Sequence, residues 1–143
     1  MLQRPLIYLL GYILSWQHLD EQQASSQQRV SMTRLTLRID FDNGSQIGHG
    51  KIRLLELIAL HGSISRAAKE MSMSYRRAWL LADAMNHMFR TPVIETQHGG
   101  SGGGHAKLTS FGHALVGHYR AFETQSMRLF SKQLSELERD LAA

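Results

Sequence analysis

The chain has 143 residues, which suits one ordinary domain, and its 43% hydrophobic and 20% charged residues are typical of a globular protein. It contains no cysteine, so disulfides, cysteine nucleophiles and thiolate zinc sites are excluded. The formal net charge is +4, and the whole excess lies in residues 51–91, where seven basic residues stand against three acidic ones. We therefore expect a polyanion to bind in that stretch.

Residues 1–31 are predicted to be an extension outside the folded domain. The apolar run of residues 6–14 is shorter than the about 20 residues of a membrane-spanning helix. Residues 17–31 are mostly Gln, Ser and charged, as in a linker. We favour translation starting at Met32, with a signal peptide or a peripheral membrane anchor as alternatives. We expect a cytoplasmic protein with no membrane partner.

A half-buried strand is predicted for Thr33 to Phe41, because apolar and polar residues alternate there. Residues 42–45 (DNGS) then break the strand. The apolar positions of this alternation are Leu35, Leu37, Ile39 and Phe41.

Three helices are predicted between residues 51 and 90. The first runs from Lys51 to Leu60 and ends at His61-Gly62, the second follows a Ser63 cap, and the third runs from Tyr75 to about Arg90, before Pro92. Two short helices, a tight turn and a longer third helix form the helix-turn-helix pattern. Their apolar faces are predicted to be Ile52, Leu55, Ile58 and Ala59; Ile64, Ala67, Ala68 and Met71; and Ala78, Ala82, Met85 and Phe89.

The third helix has the pattern of a recognition helix. Ser74 is its predicted cap, and Tyr75, Arg76 and Arg77 form a polar, basic first turn, where such helices contact base edges and phosphates. An isolated arginine pair is more often a solvated face. Here the pair lies in the segment that carries the net positive charge, which favours a functional role.

Two short strands, Val93–Thr96 and Ala106–Thr109, are predicted to form a β-hairpin, or wing. The glycine-rich residues 97–105 join them, and their backbone N–H groups could approach a phosphate closely. The alternative is a flexible loop. A nucleotide-binding loop is poorly supported, because no Lys-Ser/Thr pair follows the glycines and His105 occupies the last glycine position of G-x-G-x-x-G.

One long helix is predicted from Thr109, its cap, to Leu141. An amphipathic helix that leaves a small domain favours a partner, and two-fold dimerisation is the commonest solution. The alternative is that this helix folds back on its own domain. The apolar positions are Leu115, Tyr119 and Phe122, followed by Phe130, Leu134, Leu137 and Leu141.

No metal, cofactor or enzymatic site is predicted. The eight histidines include no H-x-x-x-H or H-E-x-x-H pair, and His98 and His105 across the wing would supply only two ligands. No nucleophile, base and acid stand together in a catalytic pattern.

Residues 52–122 resemble the DNA-binding half of the ModE family of molybdate-responsive transcriptional regulators, and more distantly the winged helix-turn-helix of LysR-type regulators. The matching runs are ALHGSIS (59–65), AAKEMSMSYRRAW (67–79), MN (85–86), GGSGGG (99–104) and LTSFG (108–112). The resemblance implies dimerisation through the leading strand and the long helices, and a palindromic operator. It places molybdate sensing in domains after the long helix, so it assigns no molybdate ligand here, and the effector stays unknown.

The predicted fold is mainly α with a small β component, a winged helix-turn-helix over residues 32–112 followed by a long dimerisation helix over residues 113–143. The predicted function is a homodimeric regulator of transcription that binds double-stranded DNA, in molybdenum or metal homeostasis without its own molybdate sensor. A winged-helix protein-interaction module is the alternative. Trp79 fits either the DNA face or the core. The predicted DNA-binding residues are Ser63, Ser65 and Arg66 on phosphates, Tyr75, Arg76 and Arg77 in the major groove, Lys107 at the flanking backbone or minor groove, and Ser74, the cap of the third helix.

Overall fold

A computed structural model of the chain describes residues 33–97 and 104–142, so the predictions for residues 1–31 and for the wing tip at 98–103 lie outside it. The predicted class, mainly α with a small β component, is confirmed. The elements are β1 (Arg38–Asp40), β2 (Gln46–Gly48), α1 (His49–His61), α2 (Ile64–Glu70), α3 (Tyr75–Met88), β3 (Ile94–Gln97), β4 (His105–Leu108), α4 (Ser110–Leu129) and α5 (Ser131–Arg139).

The leading strand is shorter than predicted. Only β1 is paired, antiparallel to the unpredicted β2, with Ile39 opposite Ile47. Residues 33–37 have no strand partner in the described part of the chain, because β2 is three residues long and continues directly into α1. The predicted alternation of part-buried and exposed side chains nevertheless extends over residues 33–41.

Helix α1 ends as predicted at Gly62, which adopts the left-handed φ of 63° that favours glycine. Its buried residues include Ile52, Leu55 and Ile58. Ala59 was predicted on the apolar face but is exposed, because the buried face of α1 includes Leu54 and Leu57 and leaves Ala59 outside it.

Side-chain caps begin α2 and α3 as predicted. Ser63 Oγ accepts a hydrogen bond from Arg66 N at 3.3 Å, and Ser74 Oγ accepts one from Arg77 N at 3.2 Å. The turn between the helices contains Ser72 with a φ of 53°. These two caps and the short turn fix where the second and third helices of the helix-turn-helix start.

Helix α3 ends at Met88, before the predicted Arg90, because Phe89 is already extended. The Phe89 ring packs edge-on against Phe41, with centroids 5.7 Å apart, and against Phe111, with centroids 5.1 Å apart. Aromatic packing therefore turns the chain out of the helix ahead of Pro92.

Strands β3 and β4 form the predicted antiparallel hairpin, shifted by one residue, with Ile94 opposite Leu108 and Gln97 opposite His105. Ala106 N donates to Gly62 O at 2.9 Å, which ties the hairpin to the end of α1. Helices α1 to α3 with this hairpin make a winged helix-turn-helix.

The predicted long C-terminal helix is two helices. Thr109 caps α4 as predicted, its Oγ1 accepting from Gly112 N at 3.0 Å, but Phe130 leaves helical geometry with φ −102° and ψ 15°. Helix α5 buries none of its residues, so no packing within the described chain holds it in line with α4. No helix among residues 33–97 and 104–142 is long and apolar enough to cross a membrane.

Candidate nucleic-acid interface

The first turn of α3 faces solvent. Tyr75 is 54% exposed and Arg76 and Arg77 are also exposed, whereas Ala78 and Ala82 on the opposite side of the helix are buried in the core. The core therefore fixes the helix while its N-terminal turn stays free for a ligand. This is the geometry that base-contacting recognition helices use.

Four basic side chains of α2 and α3 have no acidic partner. Arg66, Lys69, Arg76 and Arg77 are exposed, and no carboxylate of the described residues forms an ion pair with any of them. By contrast, Arg53 on α1 lies 3.3 Å from Glu70 and 3.8 Å from Glu56. The uncompensated positive charge is thus concentrated on the two helices of the helix-turn-helix, where it attracts phosphates.

The three predicted phosphate anchors lie together at the start of α2. Ser63 is its cap, and Ser65 and Arg66 are exposed in its first turn. A capping hydroxyl oxygen accepts a backbone hydrogen bond but keeps its proton to donate. Ser63 and Ser74 can therefore act as caps and as donors to an anion at the same time.

Lys107 on the wing differs from the other predicted contacts, because it is already paired. It lies opposite Glu95 in the hairpin, and Lys107 Nζ is 3.2 Å from Glu95 Oε2. Both side chains are exposed, so this ion pair is weak and solvent-screened. A phosphate contact by Lys107 has to compete with Glu95.

A cleft of about 320 Å³ separates the helix-turn-helix from the wing. Trp79, which the sequence left between core and DNA face, is 43% exposed and forms part of its wall beside Tyr75. The spacing of these two residues, one helical turn apart, was the available signal that they share a face. The sequence did not reveal that wing residues Thr96, Gln97 and His105 lie across the cleft from them.

Sequence reasoning also missed an ionic cluster that joins α4 to α1. Arg120 donates to both carboxylate oxygens of Glu56, at 2.7 and 2.8 Å, and also hydrogen-bonds Glu123. The hydrogen bond from Arg120 lowers the pKa of Glu56, against the opposing effect of burial. Glu56 in turn helps to raise the pKa of Arg120. The cluster is part-buried and ties α4 to α1, so we assign it a structural role.

The described residues hold no group of three or more His, Asp or Glu side chains that could bind a metal ion. His105 lies in the cleft wall, and His98, its predicted partner across the wing, is outside the described residues.

Comparisons with known proteins give several relatives, although no family model matches the chain. The chain is 37% identical over 113 residues to "Molybdenum transport protein ModE" of Azotobacter vinelandii, a match that covers 76% of this chain and 42% of the relative. It is 44% identical over 66 residues to "DNA-binding transcriptional dual regulator ModE" of Escherichia coli K12, covering 46% of this chain and 25% of the relative. It is 41% identical over 78 residues to "Molybdenum-pterin-binding protein MopA" of Rhodobacter capsulatus, a match that covers 54% of this chain and 29% of the relative.

These matches span less than half the length of the curated relatives. Apart from GGSGGG, most of which is outside the described residues, the motifs singled out in the sequence lie in the winged helix-turn-helix and the start of α4. Over the aligned residues, the chain is therefore similar to proteins named ModE.

Proposed function

We propose that the chain is a sequence-specific DNA-binding regulator of transcription that places α3 in the major groove. The observation that carries this proposal is the exposed first turn of α3, whose two arginines have no acidic partner in the described part of the chain. One relative is named as a DNA-binding transcriptional regulator and another as a molybdenum transport protein, which supports a role in controlling genes of molybdenum metabolism.

The predicted basic and serine residues each have a role in this arrangement. Arg76 and Arg77 contact guanine O6 and N7, the commonest specific arginine contact in the major groove. Arg66 and the hydroxyls near the starts of α2 and α3 bind backbone phosphates, which position the protein without selecting sequence. Lys107 contacts the flanking backbone on the wing side. The hydroxyl donors are Ser63, Ser65 and Ser74, and Tyr75 lies beside the arginines on α3.

We further propose that the protein acts as a two-fold dimer. Leu129 is 73% exposed and Leu137 is 68% exposed, and large apolar side chains exposed in a row along helices are typical of an uncovered interface. Two recognition helices related by a two-fold axis would contact half-sites about 34 Å apart, one turn of DNA. The exposed apolar side chains of α4 and its continuation are Phe122, Leu129, Phe130, Leu137 and Leu141.

Molybdate control is not assigned to residues of this chain. We propose that the 143 residues bind DNA without sensing molybdate themselves, because the resemblance places that function beyond the matched stretch. We expect micromolar molybdate to leave the DNA-binding isotherm unchanged, and a reproducible shift would contradict this.

Selection of duplexes from a randomised pool by the full chain tests the proposed function. We expect enrichment of one sequence, and we expect Arg76→Ala and Arg77→Ala to weaken binding to it by about tenfold or more, since a base-contacting arginine contributes about 1–3 kcal/mol. Arg90→Ala is the matched control, because Arg90 is exposed and basic but lies beyond the end of α3. Absence of enrichment would favour a protein-interaction module instead.

A further inference from the structure

We propose that the cleft between α3 and the wing binds one sugar–phosphate strand of the DNA through uncharged hydrogen-bond donors. This inference rests on the proposed function. If α3 occupies a major groove and the wing lies at the adjacent minor groove, the strand that separates the two grooves has to pass between them. The cleft of about 320 Å³ lies at that position.

The chemistry of the cleft wall fits a phosphate diester. Of the described residues that line it, none is acidic and none is lysine or arginine. Tyr75 and Trp79 on the α3 side supply a phenolic O–H and an indole N–H. Thr96 and Gln97 on the wing side supply a hydroxyl and an amide NH₂.

These donors are available to a ligand. In the described part of the chain, the side chains of Tyr75, Trp79, Thr96 and Gln97 form no hydrogen bond with the protein. Tyr75 and Trp79 remain about half exposed although both are large and aromatic. Their rings offer a flat surface beside a sugar, while their polar atoms can donate to a charged oxygen, which gives stronger hydrogen bonds than a neutral acceptor.

Neutral donors predict a distinctive salt dependence. An arginine or lysine that neutralises a phosphate releases a counterion, so its loss reduces the slope of log affinity against log salt by about 1. Tyr75→Phe and Trp79→Phe each remove one donor without changing charge. We expect each to weaken binding by about tenfold while the salt slope stays that of the wild type.

The decisive experiment is a methylphosphonate scan of the duplex that the wild-type chain enriches. Replacing the phosphate in the cleft removes an acceptor and a charge, so wild-type affinity should fall by about tenfold or more at that position. The loss at that position should be smaller in Trp79→Phe and in Tyr75→Phe than in the wild type, because one of the donors to that phosphate is already absent. Leu80→Ala is the control, since Leu80 is 51% exposed on α3 but does not line the cleft, and it should stay sensitive.

The outcomes separate this inference from the function on which it rests. If no duplex is enriched, the proposed function fails and the inference falls with it. If a duplex is bound specifically but both phenylalanine variants keep the wild-type methylphosphonate pattern and affinity, the cleft does not hold the strand, and DNA binding by α3 still stands.

Discussion

The side-chain amide of Asn86 forms hydrogen bonds with both the backbone N–H and the backbone carbonyl of Ile94. Its Oδ1 accepts a hydrogen bond from Ile94 N and its Nδ2 donates one to Ile94 O, each at 2.9 Å. The same Oδ1 accepts from Val93 N, also at 2.9 Å. Because Asn86 lies near the end of α3 and Ile94 begins β3, one amide side chain fixes the wing to the recognition helix. It thereby holds the two walls of the cleft in register.

Asn86→Ala should destabilise the protein by about 1–3 kcal/mol or more, because it leaves the N–H groups of buried Val93 and Ile94 without an acceptor. Urea unfolding measures the loss. Asn43→Ala is the control, since Asn43 accepts one hydrogen bond from Ser45 N in an exposed turn. Equal losses in the two variants would contradict the role given to Asn86.

Gly112→Ala should lower the free energy of unfolding by about 1–3 kcal/mol or more, because overpacking against a fixed neighbour is costly. A Cβ at Gly112 would lie 2.2 Å from Val93 O, a backbone atom that cannot move aside easily. Gly117→Ala on the same helix meets nothing within 4 Å and should stabilise by about 0.5–1 kcal/mol. Thermal unfolding of both variants checks the pair, and a stable Gly112→Ala would show that α4 does not approach Val93 so closely.

Acid should destabilise the fold partly through Glu56. Its carboxyl has a native pKa below the ordinary 4.5 because Arg120 hydrogen-bonds it. The stabilisation is complete above 4.5 and is lost as pH falls through the lowered native pKa, since the unfolded state then binds more protons. Glu56→Gln should therefore be less stable than the wild type at neutral pH and lose less on acidification.

Unfolding free energies measured from neutral pH down to below 4.5 test the role of Glu56. Glu136→Gln is the control, because Glu136 lies on the exposed helix α5 with Lys132 4.0 Å away. A Glu56→Gln curve parallel to that of the wild type would remove Glu56 from this role.

Leu137→Asn should weaken dimerisation about tenfold or more. In a two-fold dimer the substitution is present in both copies, so it removes the apolar contact of Leu137 twice. Helix α5 buries none of its residues in the described chain, so the fold itself should be unaffected. Ser135→Asn, on the other face of α5, is the control. Sedimentation equilibrium of the full chain decides it, and a wild-type monomer at tens of micromolar would contradict dimerisation through α4 and α5.

Truncation after Thr124 should also weaken dimerisation and lower affinity for the enriched duplex much more than non-specific affinity, which depends mostly on phosphate contacts. The truncation is a less specific test of the dimer interface than Leu137→Asn. Truncation also removes Met127, whose Sδ accepts a hydrogen bond from Leu35 N at 3.3 Å.

Features of the fold that depend on neighbouring residues could be predicted from the sequence. The three helix caps, Ser63, Ser74 and Thr109, lie where a polar residue precedes an apolar helical stripe, and a cap acts over three residues. The exposed first turn of α3 follows from the same local pattern. Its binding role stays a prediction.

Features that depend on distant residues could not be predicted. The Glu56–Arg120 contact spans 64 positions, and no local pattern marks it. Strand β2, which pairs with β1 after a turn, has only three residues, too few for the sequence to show an alternating pattern. Trp79 could be placed in the cleft only once the wing was positioned, and the end of continuous helix at Phe130 reflects missing packing rather than a helix-breaking residue.

Substitution of single guanines by 7-deazaguanine in the enriched duplex tests most directly whether the first turn of α3 contacts base edges. The modified base lacks the N7 acceptor of the major groove. We predict that wild-type affinity falls by about five- to tenfold at one guanine or more per half-site, and that Arg76→Ala or Arg77→Ala is insensitive at the same guanine. Unchanged wild-type affinity at every guanine, or equal losses in wild type and both variants, would contradict recognition by these arginines.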